Sequence, residues 1–90
     1  MHTINKIIEI KPFKITVLFD KLEKREIDFE PLLKSFPSLS NEATFKTVTI
    51  DDYPTLSWDK LATIVDYDGT VKPAALDFCP DTLYQMSKAL

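Results

Sequence analysis

Apolar residues recur at every second position through much of this chain, the period at which side chains return to the same face of a β-strand. In Phe13-Lys14-Ile15-Thr16-Val17-Leu18-Phe19, the residues Phe13, Ile15, Val17 and Phe19 share a face, with Lys14 and Thr16 opposite. Lys24 to Phe29 repeats the code, with Ile27 and Phe29 inward and Glu26 and Asp28 outward. Matching apolar faces on neighbouring segments predict a hairpin that covers one core. The connecting Asp20-Lys21-Leu22-Glu23 has no glycine. A two-residue type I′ turn would force an ordinary side chain to positive φ, so a longer loop is expected. Glu30 to Phe36 then carries proline at a helix's first position, an acid just before it, and an apolar stripe of Leu32, Leu33 and Phe36 that Pro37 ends. A hairpin feeding a short helix is the expectation.

The flanking segments follow the same grammar. Ile4, Ile7, Ile8 and Ile10 alternate loosely with charged residues and suit a first strand, because isoleucine is β-branched, and Pro12 separates that strand from the hairpin. His2 falls in a terminus expected to fray. Ser40 is placed to cap a single turn through Phe45. Lys46 to Ile50 reads as a strand, Asp51 to Pro54 as a turn, and Thr55 to Trp58 as a short strand with Leu56 and Trp58 on one face. Leu61 to Tyr67 is a further strand, and Asp68-Gly69, containing the only glycine, turns a second hairpin. Its return, Thr70 to Lys72, runs into Pro73, which marks an edge strand. Pro80 and Asp81 open a closing helix that Lys88 ends, with Leu83, Met86 and Leu90 spaced to face the core. The expected fold is α+β: a small antiparallel sheet of two hairpins packed with one or two short helices, the C-terminal one included, in a single domain over residues 1–90.

Composition narrows the function classes. A chain of 90 residues, 44% hydrophobic and 11% aromatic, can build one core without metal or disulfide support. Cys79 is the single cysteine, so no internal disulfide forms, and the absence of a signal peptide or long apolar run points to the cytoplasm. No stretch approaches the ~20 apolar residues of a membrane helix. The net charge of −3 is uneven: residues 1–36 hold seven Lys/Arg against six Asp/Glu, and residues 37–90 hold four against eight. No basic stripe exists to displace counterions, which disfavours direct nucleic-acid binding.

The chemistry-bearing residues are few. Cys79 precedes Pro80 at a helix start, where the dipole favours a thiolate, but the only histidine is His2, and a buried or capping structural cysteine is the expectation. Asp51-Asp52 and the pair Asp66 and Asp68 sit in turns, and neither continues into a calcium loop, so turn chemistry explains them. His2 has no neighbouring metal ligand. Trp58 is expected in the core, whereas Tyr53 and Tyr67 are free to form an aromatic contact surface. No catalytic, cofactor-binding or metal-ligating residue is assigned.

Taken in order, the strand ending Phe19-Asp20, the charged turn, Ile27-Asp28-Phe29 with Pro31-Leu32-Leu33, Phe45-x-x-Val48, Trp58, and Asp77-x-x-Pro80-Asp81-x-Leu83-Tyr84 resemble the bacterial domain-of-unknown-function family 2442. That resemblance covers most of the chain and implies a small α+β domain with an antiparallel sheet. Some members of the family carry a helix-turn-helix domain, and others lie beside genes for small partner proteins, in arrangements like toxin–antitoxin pairs. This chain differs in lacking a glycine in the first hairpin turn and in placing Asp59 to Ala75 between Trp58 and Asp77, an insertion relative to the family pattern.

The functional expectation is a non-enzymatic protein-binding or regulatory module, antitoxin-like in the sense of an adaptor, with a protein partner or a second copy as its target. Its candidate surface comprises Tyr53, Asp66, Tyr67 and Asp68, reached through the exposed sheet edge or the Asp59 to Pro73 hairpin. The alternatives are a small enzyme using Asp carboxylates and Cys79, or a small-molecule sensor.

Overall fold

Seven strands and two short helices form two antiparallel sheets in the computed structural model, which describes Met1–Leu90. The first sheet contains β1 (Ile4–Lys11), β2 (Lys14–Phe19), β3 (Glu23–Asp28) and β7 (Ser87–Ala89), in that spatial order. The second contains β4 (Thr49–Ile50), β5 (Leu56–Val65) and β6 (Val71–Asp77), also in that order. The helices are α1 (Glu42–Phe45) and α2 (Pro80–Met86).

The β2–β3 hairpin is present with an unbroken register from Lys14↔Asp28 to Phe19↔Glu23. Its loop is the three residues Asp20, Lys21 and Leu22, longer than a two-residue turn as expected, yet Asp20 and Lys21 still adopt φ of 50° and 82°. Phe13 departs from its expected place in β2. It turns the chain between β1 and β2, with φ 65°. Pro12 sets the first central position of this two-residue link and leaves the second at positive φ, the type II arrangement. Pro12 therefore joins two strands of a meander, and Phe13 is held by edge-on packing on Phe45, 5.5 Å between ring centres.

The helix expected over Glu30–Phe36 is replaced by one 3-10 turn at Glu30–Leu32 and a second at Pro37–Ser40. Pro37 excludes Phe36 from helical backbone, where it lies at φ −130°, ψ 73°, and too few residues remain to propagate a helix. Asn41 rather than Ser40 caps α1, its side-chain oxygen accepting from the Thr44 N–H at 3.1 Å. The strand expected from Lys46 begins only at Thr49, since Lys46 and Thr47 close the turn of α1 through backbone bonds to Glu42 and Thr44.

The two pieces expected around Trp58 are one strand, β5, interrupted by an irregularity between Trp58 and Ala62, where Lys60 has φ 59°. The closing helix stops at Met86, earlier than expected. Ser87–Ala89 instead pair with β3, Ile27↔Ser87 to Arg25↔Ala89, covering an edge that would otherwise present unpaired backbone groups. Lys88 thus belongs to a strand, and Leu90 is exposed rather than in the core.

One apolar cluster unites both sheets: Ile4, Ile15, Val17, Phe19, Ile27, Phe29 and Leu83 from the first sheet and its neighbours meet Leu39, Phe45, Val48, Leu56 and Trp58. Trp58 is fully buried, as expected, against the rings of Phe29, Phe45 and Phe78 at 5.5–5.9 Å. Its indole N–H donates to the Phe45 carbonyl at 3.0 Å, so burial leaves no donor unpaired. No helix is long and apolar enough to cross a membrane.

Candidate functional site

Trp58↔Leu76 is the last pair of the second sheet whose side chains reach the core. Beyond the irregularity, β5 and β6 continue as a two-stranded ribbon through Ala62↔Ala74, Thr63↔Pro73, Ile64↔Lys72 and Val65↔Val71. This arm contributes to the elongated shape, 46 × 26 × 19 Å. By strand alternation, Thr63, Val65, Val71 and Pro73 share one face of the ribbon, and Ala62, Ile64, Lys72 and Ala74 share the other. Apolar residues on both faces are the pattern of a strand covered on both sides. Here they are open: Ile64 is 52% exposed, Val65 69% and Val71 62%.

Asp66–Thr70 close the tip. The Asp66 N–H donates to the Thr70 carbonyl at 2.9 Å and the Gly69 N–H to the Asp66 carbonyl at 3.0 Å, with Gly69 at φ 83°. This is a three-residue loop with a glycine bulge, not a two-residue turn. The Asp68 carboxylate accepts from the Thr70 N–H at 2.9 Å, and its hydrogen bonding to Thr70 holds its pKa below the usual value. Asp66 pairs with Lys72 at 2.5 Å. Both carboxylates are thus engaged in the loop itself, and Tyr67 is fully exposed at its apex.

Ladder alternation counted from the Asp66–Thr70 bond points the backbone groups of Val71 and Pro73 toward the free edge of β6. Pro73 has no N–H to offer there, so the middle of this edge resists strand addition. The faces of the arm, and the β5 edge beyond the two residues that β4 pairs, are left open.

Tyr53 lies elsewhere. It is exposed in the turn before β5, whereas Asp66, Tyr67 and Asp68 follow the far end of that ten-residue strand, on the order of 30 Å away at the usual rise per residue. The four residues do not form one patch. Tyr53 instead borders an open cleft of about 410 Å³ with Phe78, Cys79, Pro80 and the carboxylates of Asp77 and Asp81. Cys79 is exposed, contrary to a buried placement, because Phe78 takes the inward position, and Thr55 Oγ1 donates to the Phe78 carbonyl at 2.6 Å. Cys79 occupies the N-cap position of α2 without a side-chain cap bond. The cysteine and the Asp66–Asp68 loop lie at opposite ends of the second sheet. Asp51 accepts from the Tyr53 and Thr55 N–H groups at 3.0 Å, as turn chemistry requires.

A second constellation escaped the sequence. His2 is not frayed: its ring stacks on Tyr84 at 3.7 Å and 6°, its Nδ1 lies 2.6 Å from Asp20 Oδ2, and its backbone N–H donates to Asp81 at 2.7 Å. The Arg25 guanidinium sits 4.3 Å from the same tyrosine ring. Two groups at those distances occupy opposite faces, so Tyr84 is sandwiched between them. Its hydroxyl donates to Glu23 at 2.7 Å, Arg25 binds the same carboxylate at 2.7 Å, and Arg25 Nε donates to Ser87 Oγ at 2.6 Å. The hydrogen bonds from Tyr84 and then Arg25 lower the Glu23 pKa, and the bond to Glu23 raises that of Tyr84. Asp20 is lowered first by His2 and then by the Thr3 N–H. Every member has a partner, which makes this a latch joining the N-terminus, the first hairpin loop, α2 and β7. Only the pairing of residues from 18 to 82 positions apart reveals it, and no local spacing signals that.

Compared with known proteins, the chain matches no family model, no curated protein and no solved structure.

Proposed function

We propose that this chain is a protein-binding module that docks through its β5–β6 arm. The observation that carries this reading is the arm's apolar exposure: Ile64, Val65 and Val71 alternate across a ribbon that no other strand or helix covers. An isolated two-stranded ribbon is marginal in water, and a partner that buries it supplies the missing layer. Tyr67 at the tip adds an aromatic group of the kind that anchors interfaces, and Asp66 and Asp68 flank it. The resemblance to family 2442 extends the reading to regulation, as an adaptor acting on a small protein in the bacterial cytoplasm.

The test is retention of partners by the tagged protein with and without residues 60–75, joined by a short turn, since the core pair Trp58↔Leu76 stays outside the deletion. Loss of stoichiometric partners from a folded deletion variant is the expected result. Unchanged retention removes the arm from the reading.

A second reading, a small-molecule sensor, is favoured by the cleft between Tyr53 and α2, whose mixed aromatic and carboxylate lining suits a compact cationic ligand. A ligand-dependent rise in melting temperature that Tyr53→Ala abolishes would support it.

A further inference from the structure

We infer that the partner covering the β5–β6 arm is a second copy of this chain, in a two-fold dimer in which the arms lie antiparallel. This inference rests on the arm being a docking surface, and it names the occupant.

Surface area is the first argument. A compact chain of 10.3 kDa exposes about 5,400 Å², whereas this one exposes 5859 Å², an excess of roughly 500 Å². Two copies that each cover that excess remove about 1,000 Å², the lower bound for a specific interface. The open arm residues Ile64, Val65 and Val71 are part of that exposed surface.

Charge is the second. Although residues 37–90 are acidic as a whole, the segment 59–75 is nearly balanced, with Asp59, Asp66 and Asp68 against Lys60 and Lys72. Asp66 and Lys72 already neutralise each other within the arm. A strongly basic partner finds little to pair with here, and a second arm meets no strong like-charge repulsion. The uncompensated acids Asp52 and Asp77 lie at the other end of β5 and β6, away from the axis.

Geometry is the third. An isologous contact needs a patch that complements itself. In the antiparallel arrangement the tip residues Val65 and Val71 of one copy lie over the same face at the base of the other arm, where Leu61 is half-buried. Pro73 opposes a continuous sheet through the β6 edge, and Val65 and Val71 present their exposed side chains on a face, so the ribbons pack face to face.

Sedimentation of the purified full chain from micromolar to submillimolar concentration tests this, alongside the double variant Ile64→Asp/Val71→Asp and the milder Val71→Lys. The expected result is a shift with concentration from the chain mass toward twice that mass, lost in the double variant and weakened at least tenfold in Val71→Lys. Far-UV circular dichroism and the fluorescence of buried Trp58 report whether each variant is folded; if the double variant is not, Val71→Lys decides. A dimer that survives in the folded variants overturns the arm as the interface. A monomer at every concentration overturns self-association. In that case, loss of other partners in the same variants leaves the docking reading standing, and no loss removes that reading as well.

Discussion

The β2–β3 and β5–β6 hairpins are built by similar local rules and end in three-residue loops, yet one is locked and the other stands open. The β2–β3 hairpin has Ile15, Val17, Phe19 and Ile27 fully buried, neighbouring strands on both sides, and a loop strapped by the N-terminal segment. The Asp20 carboxylate accepts from the Thr3 N–H at 2.8 Å, and the Lys21 N–H donates to Asn5 at 3.1 Å. The β5–β6 hairpin is covered only as far as Trp58 and Leu76, and its loop is satisfied from within. The first hairpin needs tertiary contacts to hold two non-glycine residues at positive φ. The second has glycine where the loop demands it, so its loop needs no neighbour to close. What it lacks is a layer over its faces, and that difference locates the surface available for binding.

Truncation at the junction should have the largest effect. Trp58→Ala removes the ring on which both sheets meet and is expected to cost about 3–5 kcal/mol of global stability in chemical denaturation. A loss confined to the second sheet would mean that the core is divided. The two loops then predict opposite signs. Gly69→Ala puts a side chain at φ 83° in open space, so it meets no clash but strains the backbone, and costs about 1–2 kcal/mol in the arm alone. Lys21→Gly relieves φ 82° in the first loop and is expected to stabilise the whole body by roughly 0.5–1 kcal/mol. If Gly69→Ala lowered the global midpoint as much as the arm's own protection, the arm would not be independent of the body. Smaller still, Ile64→Asp/Val71→Asp should change the stability of the isolated monomer by no more than about 0.5 kcal/mol, as for an exposed site.

Proton linkage sharpens the same contrast at the weakest end. Asp20 and Glu23 have folded pKa values below the ordinary carboxylate range, so their contribution is present above that range and is lost as the pH falls through the folded values. Tyr84 is raised above 10.0, so its contribution is present below that pH and is lost as the pH rises through its folded value. Acid titration should therefore loosen the latch, visible as loss of the His2–Tyr84 stacking shift in proton NMR once the pH falls below the ordinary carboxylate range. Asp20→Asn should remove much of that pH response. Persistence of the stacked ring shift to the acid limit would show that stacking alone holds His2.

Much of this contrast was legible in the sequence, for identifiable reasons. Alternation placed β2 and β3 because Ile15, Val17, Phe19 and Ile27 turn to one core, and the lone glycine marked the second hairpin because its loop requires positive φ. Trp58 was legible as core by its size. Three features were not. Phe13 reads as strand by period, but Pro12 forces it into a turn. Ser87–Ala89 read as the end of a helix, and only the free edge of β3 makes them a strand. His2 acquires a role from Asp20, Tyr84 and Asp81, which chain folding alone brings to it. For the candidate surface, the sequence singled out Tyr67, Asp66 and Asp68 at the loop, but the open apolar residues Ile64, Val65 and Val71 look in sequence like any buried strand. Exposure is a property of what does not pack against them, and no local pattern encodes it.

The most direct measurement is residue-resolved amide hydrogen exchange at low and high protein concentration. Val17 and Ile27 are expected to exchange only through global unfolding at both concentrations. Ile64 and Lys72, hydrogen-bonded within the ribbon, should exchange through local opening in dilute solution and gain protection as concentration rises. Arm amides as protected as the body in dilute solution would contradict the claim that this hairpin stands uncovered.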